Sequence, residues 1–178
     1  LTQINWLKKK YDNIRTYIID LDEVFKIFQK TMNEFDSELA FSNSRARLRM
    51  VTLYQIAQNY KALVVGTGNK VEDFGIGFFT KYGDGGVDIS PIADCTKSQV
   101  WEIGKELGVN NEIIKAQPTD GLWDDSRNDE DQIGLSYEQI EDAMENDKSP
   151  FYEKFKKIRT YNLHKMKPIP ICILPKNS

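Results

Sequence analysis

The stretch Ala62-Leu63-Val64-Val65-Gly66-Thr67-Gly68-Asn69 decides the fold. An unbroken apolar run directly after a helical pattern reads as a short strand of a parallel sheet, buried on both faces. Upstream, Ala46, Met50, Leu53, Tyr54, Ala57 and Tyr60 recur at helical spacing and predict a helix that opens after Ser42 and Ser44. Further back, Leu21, Val24, Phe25, Phe28 and Met32 predict another helix with Asp22 as its cap, and Asn13–Ile19 is β-branched and aromatic, a short strand. Leu1–Tyr11 reads as the tail of a helix already under way, and the absence of an initial Met points to missing upstream sequence. Downstream, Thr96-Lys97-Ser98-Gln99 and Ser136-Tyr137-Glu138-Gln139 are capping boxes. The first opens a helix with Val100, Ile103 and Leu107 on one face and Gly108 as its stop; the second carries Ile140, Ala143 and Met144. A last helix runs to about Tyr161, and Pro168, Pro170 and Pro175 make the tail irregular. Strand and helix alternate, so the expectation is one α/β domain over 1–178, N-terminally incomplete, with a mostly parallel sheet flanked by helices.

Composition narrows the function classes. The 178 residues carry 24 Lys+Arg against 27 Asp+Glu, a formal charge of −3, which gives no whole-chain reason to expect nucleic-acid binding. No segment approaches the ~20 apolar residues of a membrane span, and the start shows no basic-then-apolar leader. Cys95 and Cys172 lie far apart and suit a reduced, cytoplasmic setting. One histidine excludes a His-cluster metal site, so oxygen ligands are expected for any metal.

In an open parallel sheet, ligands bind beyond the carboxyl ends of the strands. There, Gly66-Thr67-Gly68-Asn69 would let a nucleotide approach the backbone, Thr67 offers a hydroxyl, and Glu72 could reach a hard cation held between phosphates. The same residues also fit a glycine-rich turn with an exposed acidic helix start. Arg45, Arg47 and Arg49 are read as crowding the first turns of a helix, and Lys97 opens its own; the macrodipole disfavours each such cation by roughly 0.3–1 kcal/mol. An anion bound at those helix ends would explain the placement, and so would arginines lying over apolar surface toward Glu38. Phe78–Asp88 is too apolar at its start for a solvent loop and too rich in glycine at its end for a strand; Lys81 and Asp88 are its charged candidates, against a plain loop packed on two phenylalanines. The acidic run Trp123–Asp131 lacks the rhythm of a calcium loop and reads as solvated and mobile.

Arg45-Ala46-Arg47-Leu48-Arg49-Met50, Gly66-Thr67-Gly68-Asn69-Lys70-Val71-Glu72, Phe78-Phe79-Thr80-Lys81-Tyr82-Gly83-Asp84-Gly85-Gly86, Pro118-Thr119 and Gly134-Leu135-Ser136-Tyr137 together resemble the ammonia-dependent NAD synthetases, in order from about Asp12 to Lys165. The resemblance implies a three-layer, adenine nucleotide α-hydrolase-like fold of the N-type ATP pyrophosphatases. It also implies a carbon–nitrogen ligase that uses ATP and Mg2+ to convert deamido-NAD to NAD. The nicotinate carboxylate would attack the α-phosphate to give an acyl adenylate and pyrophosphate, and ammonia would then displace AMP. By resemblance, Thr67, Lys97 and Thr119 contact ATP, Glu72 binds magnesium, and Arg47, Lys81, Asp88, His164 and Lys165 hold deamido-NAD. Lys97 would then stabilise the adenylation step, and Asp88, from its place in the glycine loop, is expected to take the proton of the incoming ammonium. A homodimer is implied, with Arg47, His164 or Lys165 able to serve the partner's site.

The family's Ser-Gly-Gly-x-Asp-Ser pyrophosphate loop, which carries a second magnesium ligand, does not occur in the sequence, so the first strand and its loop are expected upstream of Leu1 and the 178 residues are expected to be inactive alone. Three rivals stand beside this reading. One is the synthetase domain of a glutamine-dependent NAD synthetase; another is a non-catalytic α/β module that only holds a nucleotide; the third is another ATP pyrophosphatase, such as a GMP synthetase or a tRNA-thiolation enzyme, which would share the fold but not the Lys81-to-Asp88 loop.

Overall fold

Small polar residues open most of the helices. The computed structural model describes residues 2–123, 125 and 127–174. Thr2–Lys10 (α1) and Asp22–Thr31 (α2) precede the long helix Glu38–Tyr60 (α3). The side chain of Ser37 caps α3, so this helix begins several residues before Ser42 and Ser44. Leu21, rather than Asp22, stands at the cap of α2 and makes no side-chain capping bond. A π-helix spans Lys70–Ile76. After it come Lys97–Glu106 (α4), Asn111–Ile114 (α5), Asp129–Ile133 (α6), Tyr137–Glu145 (α7) and Tyr152–Met166 (α8). Both expected capping boxes form, at Thr96 for α4 and Ser136 for α7. Gly108 ends α4's turn at φ 75°, where a left-handed backbone favours glycine. The last helix extends past Tyr161 to Met166.

The strand expectations need correction. Asn13–Ile19 forms no strand; Tyr17, Ile18 and Ile19 are each more than half exposed, and β-propensity acts only where a surface is there to pack on. The run Ala62–Gly66 makes one parallel bridge, Val65 to Ile89, with Gly66 N–H donating to Ile89 C=O at 2.7 Å and Asp88 N–H to Val64 C=O at 2.9 Å. Val64 is 6% exposed while Leu63 is 64% and Val65 54%, so one face is buried and not both. Among the described residues this bridge is all the sheet there is, and a three-layer arrangement is not seen. No described helix is long and apolar enough to cross a membrane.

The hydrophobic core sits where the π-helix meets α6, α7 and α8: Val71, Ile76, Ile133, Leu135, Tyr137, Ile140, Ala143 and Phe155. Helix α8 grips the π-helix from outside the core. Arg159 donates to the carbonyls of Phe74 and Gly75, Asn162 to Ile76 at 2.9 Å, and Lys165 to Gly77 at 2.9 Å and Phe79 at 2.8 Å. These bonds satisfy carbonyls that the end of the helix leaves open, and so fix the segment that carries Glu72.

Candidate active site

Asn69 prepares the position of Glu72. Its Oδ1 accepts the N–H groups of Val71 and Glu72, each at 3.0 Å, which starts the π-helix, and its Nδ2 donates to Glu72 Oε2 at 2.6 Å. Two further groups converge on Glu72 Oε1. Lys97 Nζ donates to it at 2.7 Å, and the Tyr137 hydroxyl at 2.6 Å. The Thr96 cap makes Lys97 the first residue of α4, as expected for a cation at a positive helix end. Its ammonium lies 4.8 Å from the centre of the Tyr137 ring. Tyr137 is 1% exposed, and its hydroxyl also lies 3.2 Å from Asp129 Oδ2. Burial between two carboxylates raises the phenol far above its ordinary pKa. Burial pushes Asp129 up to about 6, with the charge of Glu72 adding to it.

These groups open on a cavity of about 500 Å³ lined by Thr67, Glu72, Asp84, Lys97, Thr119 and Asp129, with Met50, Leu53 and Val64 on its apolar side. That volume is within the range of small-molecule sites. Arg49 donates to the carbonyls of Asp120 at 3.3 Å and Gly121 at 2.8 Å, and Arg45 to Leu122 at 2.5 Å, so the two arginines tether the loop that brings Thr119 to the cavity. Because α3 starts at Glu38, Arg45, Arg47 and Arg49 lie about two to three turns inside it, and the helix-start argument does not apply to them.

The other expected residues gather elsewhere. Arg47 Nε donates to the Lys81 carbonyl at 3.3 Å, Lys81 Nζ to the His164 carbonyl at 2.8 Å, and Lys165 to the carbonyls of Gly77 and Phe79. Burial lowers the Lys165 ammonium below its ordinary pKa. Arg47, Lys81 and Lys165 form a basic edge around residues 79–82, outside the 500 Å³ cavity, and His164 meets it through its backbone carbonyl. Asp88 accepts Val64 N–H at 2.8 Å and the Tyr54 hydroxyl at 3.1 Å, and does not line that cavity. Asp84 does line it, with its backbone-facing Oδ1 accepting Thr80 N–H at 2.9 Å. Although Asp84 keeps over a third of its surface open, the protein around it raises its carboxyl above the ordinary range. Asp73, behind Glu72, is pushed up to about 7 by burial and by the charges of Asp84 and Glu72.

Asn69, Asp84, Asp129 and Tyr137 were not singled out as site residues. The expected solvated loop is wrong at Asp129, which is 7% exposed in the first turn of α6; Asp124 and Ser126 of that run lie outside the described residues. Asn128-Asp129-Glu130-Asp131 has the outline of a helix cap, and Asn128 does accept Asp131 N–H at 2.7 Å, a signal that would have placed Asp129 on a helix. Among the described residues no three His, Cys, Asp or Glu side chains gather as a metal centre. Glu72 and Asp129 are nevertheless an all-oxygen pair, and Asp129 Oδ1 is buried without a hydrogen-bond partner among those residues. That donor set fits a hard divalent cation whose remaining ligands are water or phosphate.

Residues 6–173 match the family model of NAD synthase. The chain belongs to the NAD synthase family. An NH(3)-dependent NAD(+) synthetase of Alkaliphilus metalliredigens is 39% identical over 173 residues, 95% of this chain and 67% of that protein. The solved NMN synthetase of Francisella tularensis superposes with a TM-score of 0.82 at 33% identity, covering 99% of this chain and 73% of the other. The NH3-dependent NAD synthetase of Campylobacter jejuni gives 0.70 at 24% identity over 90% of this chain and 66% of the other, a likeness of fold alone. Against eight such curated relatives the match spans between 41% and 67% of the relative's length.

Proposed function

We propose that this NAD synthase family chain carries most of the site for ATP- and Mg2+-dependent amidation of deamido-NAD by ammonia, giving NAD, AMP and pyrophosphate. The observation that carries the reading is the meeting of Thr67, Glu72, Lys97 and Thr119 on one cavity, from three separate parts of the chain. The fold is taken as the three-layer, adenine nucleotide α-hydrolase-like type, of which the Val65–Ile89 bridge is a piece. Thr67 and Thr119 hold ATP by their hydroxyls. Lys97 offsets the negative charge that gathers on phosphate oxygens as the nicotinate carboxylate bonds to the α-phosphorus and pyrophosphate leaves. A divalent cation at Glu72, when bound, would offset more of that charge.

Ammonia then attacks the acyl carbon, and AMP departs. We assign the proton shed by the incoming ammonium to Asp84 rather than Asp88. Asp84 lines the cavity with a carboxyl poised to take a proton, whereas Asp88 is occupied by Val64 and Tyr54. Arg47, Lys81, His164 and Lys165 form the basic edge that meets deamido-NAD, in a homodimer where part of this edge serves the partner's site. Two free cysteines suit the reduced cytoplasm.

The test is to graft these residues in place of the aligned part of the Alkaliphilus relative and assay NAD formation from deamido-NAD, ATP, Mg2+ and ammonium. Turnover supports the reading; a folded but inactive graft overturns it. A second reading follows from the Francisella neighbour, whose name denotes a mononucleotide product: the substrate here would be nicotinate mononucleotide. A higher kcat/KM for the mononucleotide than for deamido-NAD in the same graft would favour it.

A further inference from the structure

We propose that Asp129 is a second carboxylate ligand, beside Glu72, for the divalent cation that accompanies the bound nucleotide. The inference rests on the nucleotide reading above and adds a residue to it. Asp129 is 7% exposed, lines the same cavity as Glu72 and Lys97, and leaves Oδ1 buried with no hydrogen-bond partner among the described residues. A buried carboxylate oxygen without a donor is costly, and it is retained where something absent from the protein itself completes it. Its other oxygen is poorly served as well. The Tyr137 hydroxyl has a single proton, stands 2.6 Å from Glu72 Oε1 but 3.2 Å from Asp129 Oδ2, and so favours Glu72.

Charge points the same way. Glu72 and Asp129 flank one phenol oxygen, and a single cation, Lys97 Nζ, is seated on Glu72 at 2.7 Å. This corner therefore already attracts positive charge, yet the Lys97 ammonium makes no hydrogen bond to Asp129. Magnesium-type ions are held by one or two carboxylates together with substrate phosphates, and two carboxylates on the wall of one cavity match that pattern. Asp129 is also fixed in place: its N–H donates to the Pro118 carbonyl at 3.0 Å, next to Thr119, which ties it to the same wall of the cavity.

The experiment is calorimetric titration of the 178-residue chain with ADP, in Mn2+ and again in EDTA. Mn2+ should tighten ADP binding to the unmodified chain, and both Asp129→Asn and Glu72→Gln should cut that metal-dependent gain, taken for each variant as the ratio of its ADP affinities in Mn2+ and in EDTA, at least tenfold. Tyr137→Phe should retain most of the gain. If Glu72→Gln loses the gain while Asp129→Asn keeps it, the Asp129 assignment fails and the metal reading of Glu72 survives. If Tyr137→Phe loses as much as Asp129→Asn, Asp129 acts only by holding the phenol, and its assignment as a ligand fails. Absence of any metal-dependent gain in the unmodified chain overturns both assignments. Should Asp129→Asn fold poorly, the unmodified chain still decides. With Fe2+ and ADP, ascorbate and peroxide should cleave the backbone near residue 72 and again at 128–130; cleavage near 72 alone refutes the proposal.

Discussion

Asp73 shows how a single carboxyl records its surroundings. Its folded-state pKa of about 7 lies above the ordinary value of 3.8, so between these limits the native chain holds a proton that the unfolded chain has released. Stability must therefore fall as pH rises through that window. In EDTA, the melting temperature of the native chain should decline from pH 5 to 8, and Asp73→Asn should flatten that decline. Gly68 leaves room for this side chain, because an added Cβ would come within 1.9 Å of Asp73 Oδ2. Gly68→Ala should cost about 1–3 kcal/mol in urea unfolding, as overpacking does. Lys97 was legible in the sequence because a cation at a helix start breaks a local pattern, and Glu72 because it follows the glycine turn at the carboxyl end of the expected strand. Asp129 was not, since it sits in an acidic run. Its place is set by contact with Tyr137, eight residues on, whose hydroxyl also meets Glu72 of the π-helix.

The capping boxes at Thr96 and Ser136 were readable as written, being local hydrogen-bond patterns that need no tertiary partner. Thr96→Ala should lower stability by about 1 kcal/mol, measured by urea unfolding. The same variant should loosen Lys97, seen as a weaker effect of ionic strength on ADP affinity. The π-helix was not readable, because apolar spacing distinguishes periods of 3.6 and 2 but not a wider turn. Its form depends on side chains far away in sequence, above all Arg159 on the carbonyls of Phe74 and Gly75. Arg159→Ala leaves those carbonyls short of a charged donor. It should cost about 2 kcal/mol and speed amide exchange across 74–79 more than in α7. The expected strand at Ala62–Gly66 was half legible. The apolar run marks where the chain pairs, at the one bridge from Val65 to Ile89, but how far the pairing extends and how many faces are covered depend on what packs against them.

Over the whole molecule, apolar surface is unevenly distributed. Leu63 and Val65 are more than half exposed and Ile89 is 44% exposed, around a pairing of one bridge, and Leu53 of α3, which lines the same cavity as Val65, is likewise open. An exposed apolar edge of this kind invites association. The 178-residue chain should bind a hydrophobic dye and sediment with increasing mass as concentration rises, and Val65→Lys should reduce both effects without lowering the melting temperature by more than a few degrees. The wide winding of Lys70–Ile76 has its own consequence for length variation. Excising one residue between Asn69 and Gly77 would rewind the segment toward 3.6 residues per turn and swing one end about 100° against the other. Either the carboxylate facing Lys97 or the carbonyls facing Arg159 would then point the wrong way, so single-residue gaps belong in the loops and not in this stretch.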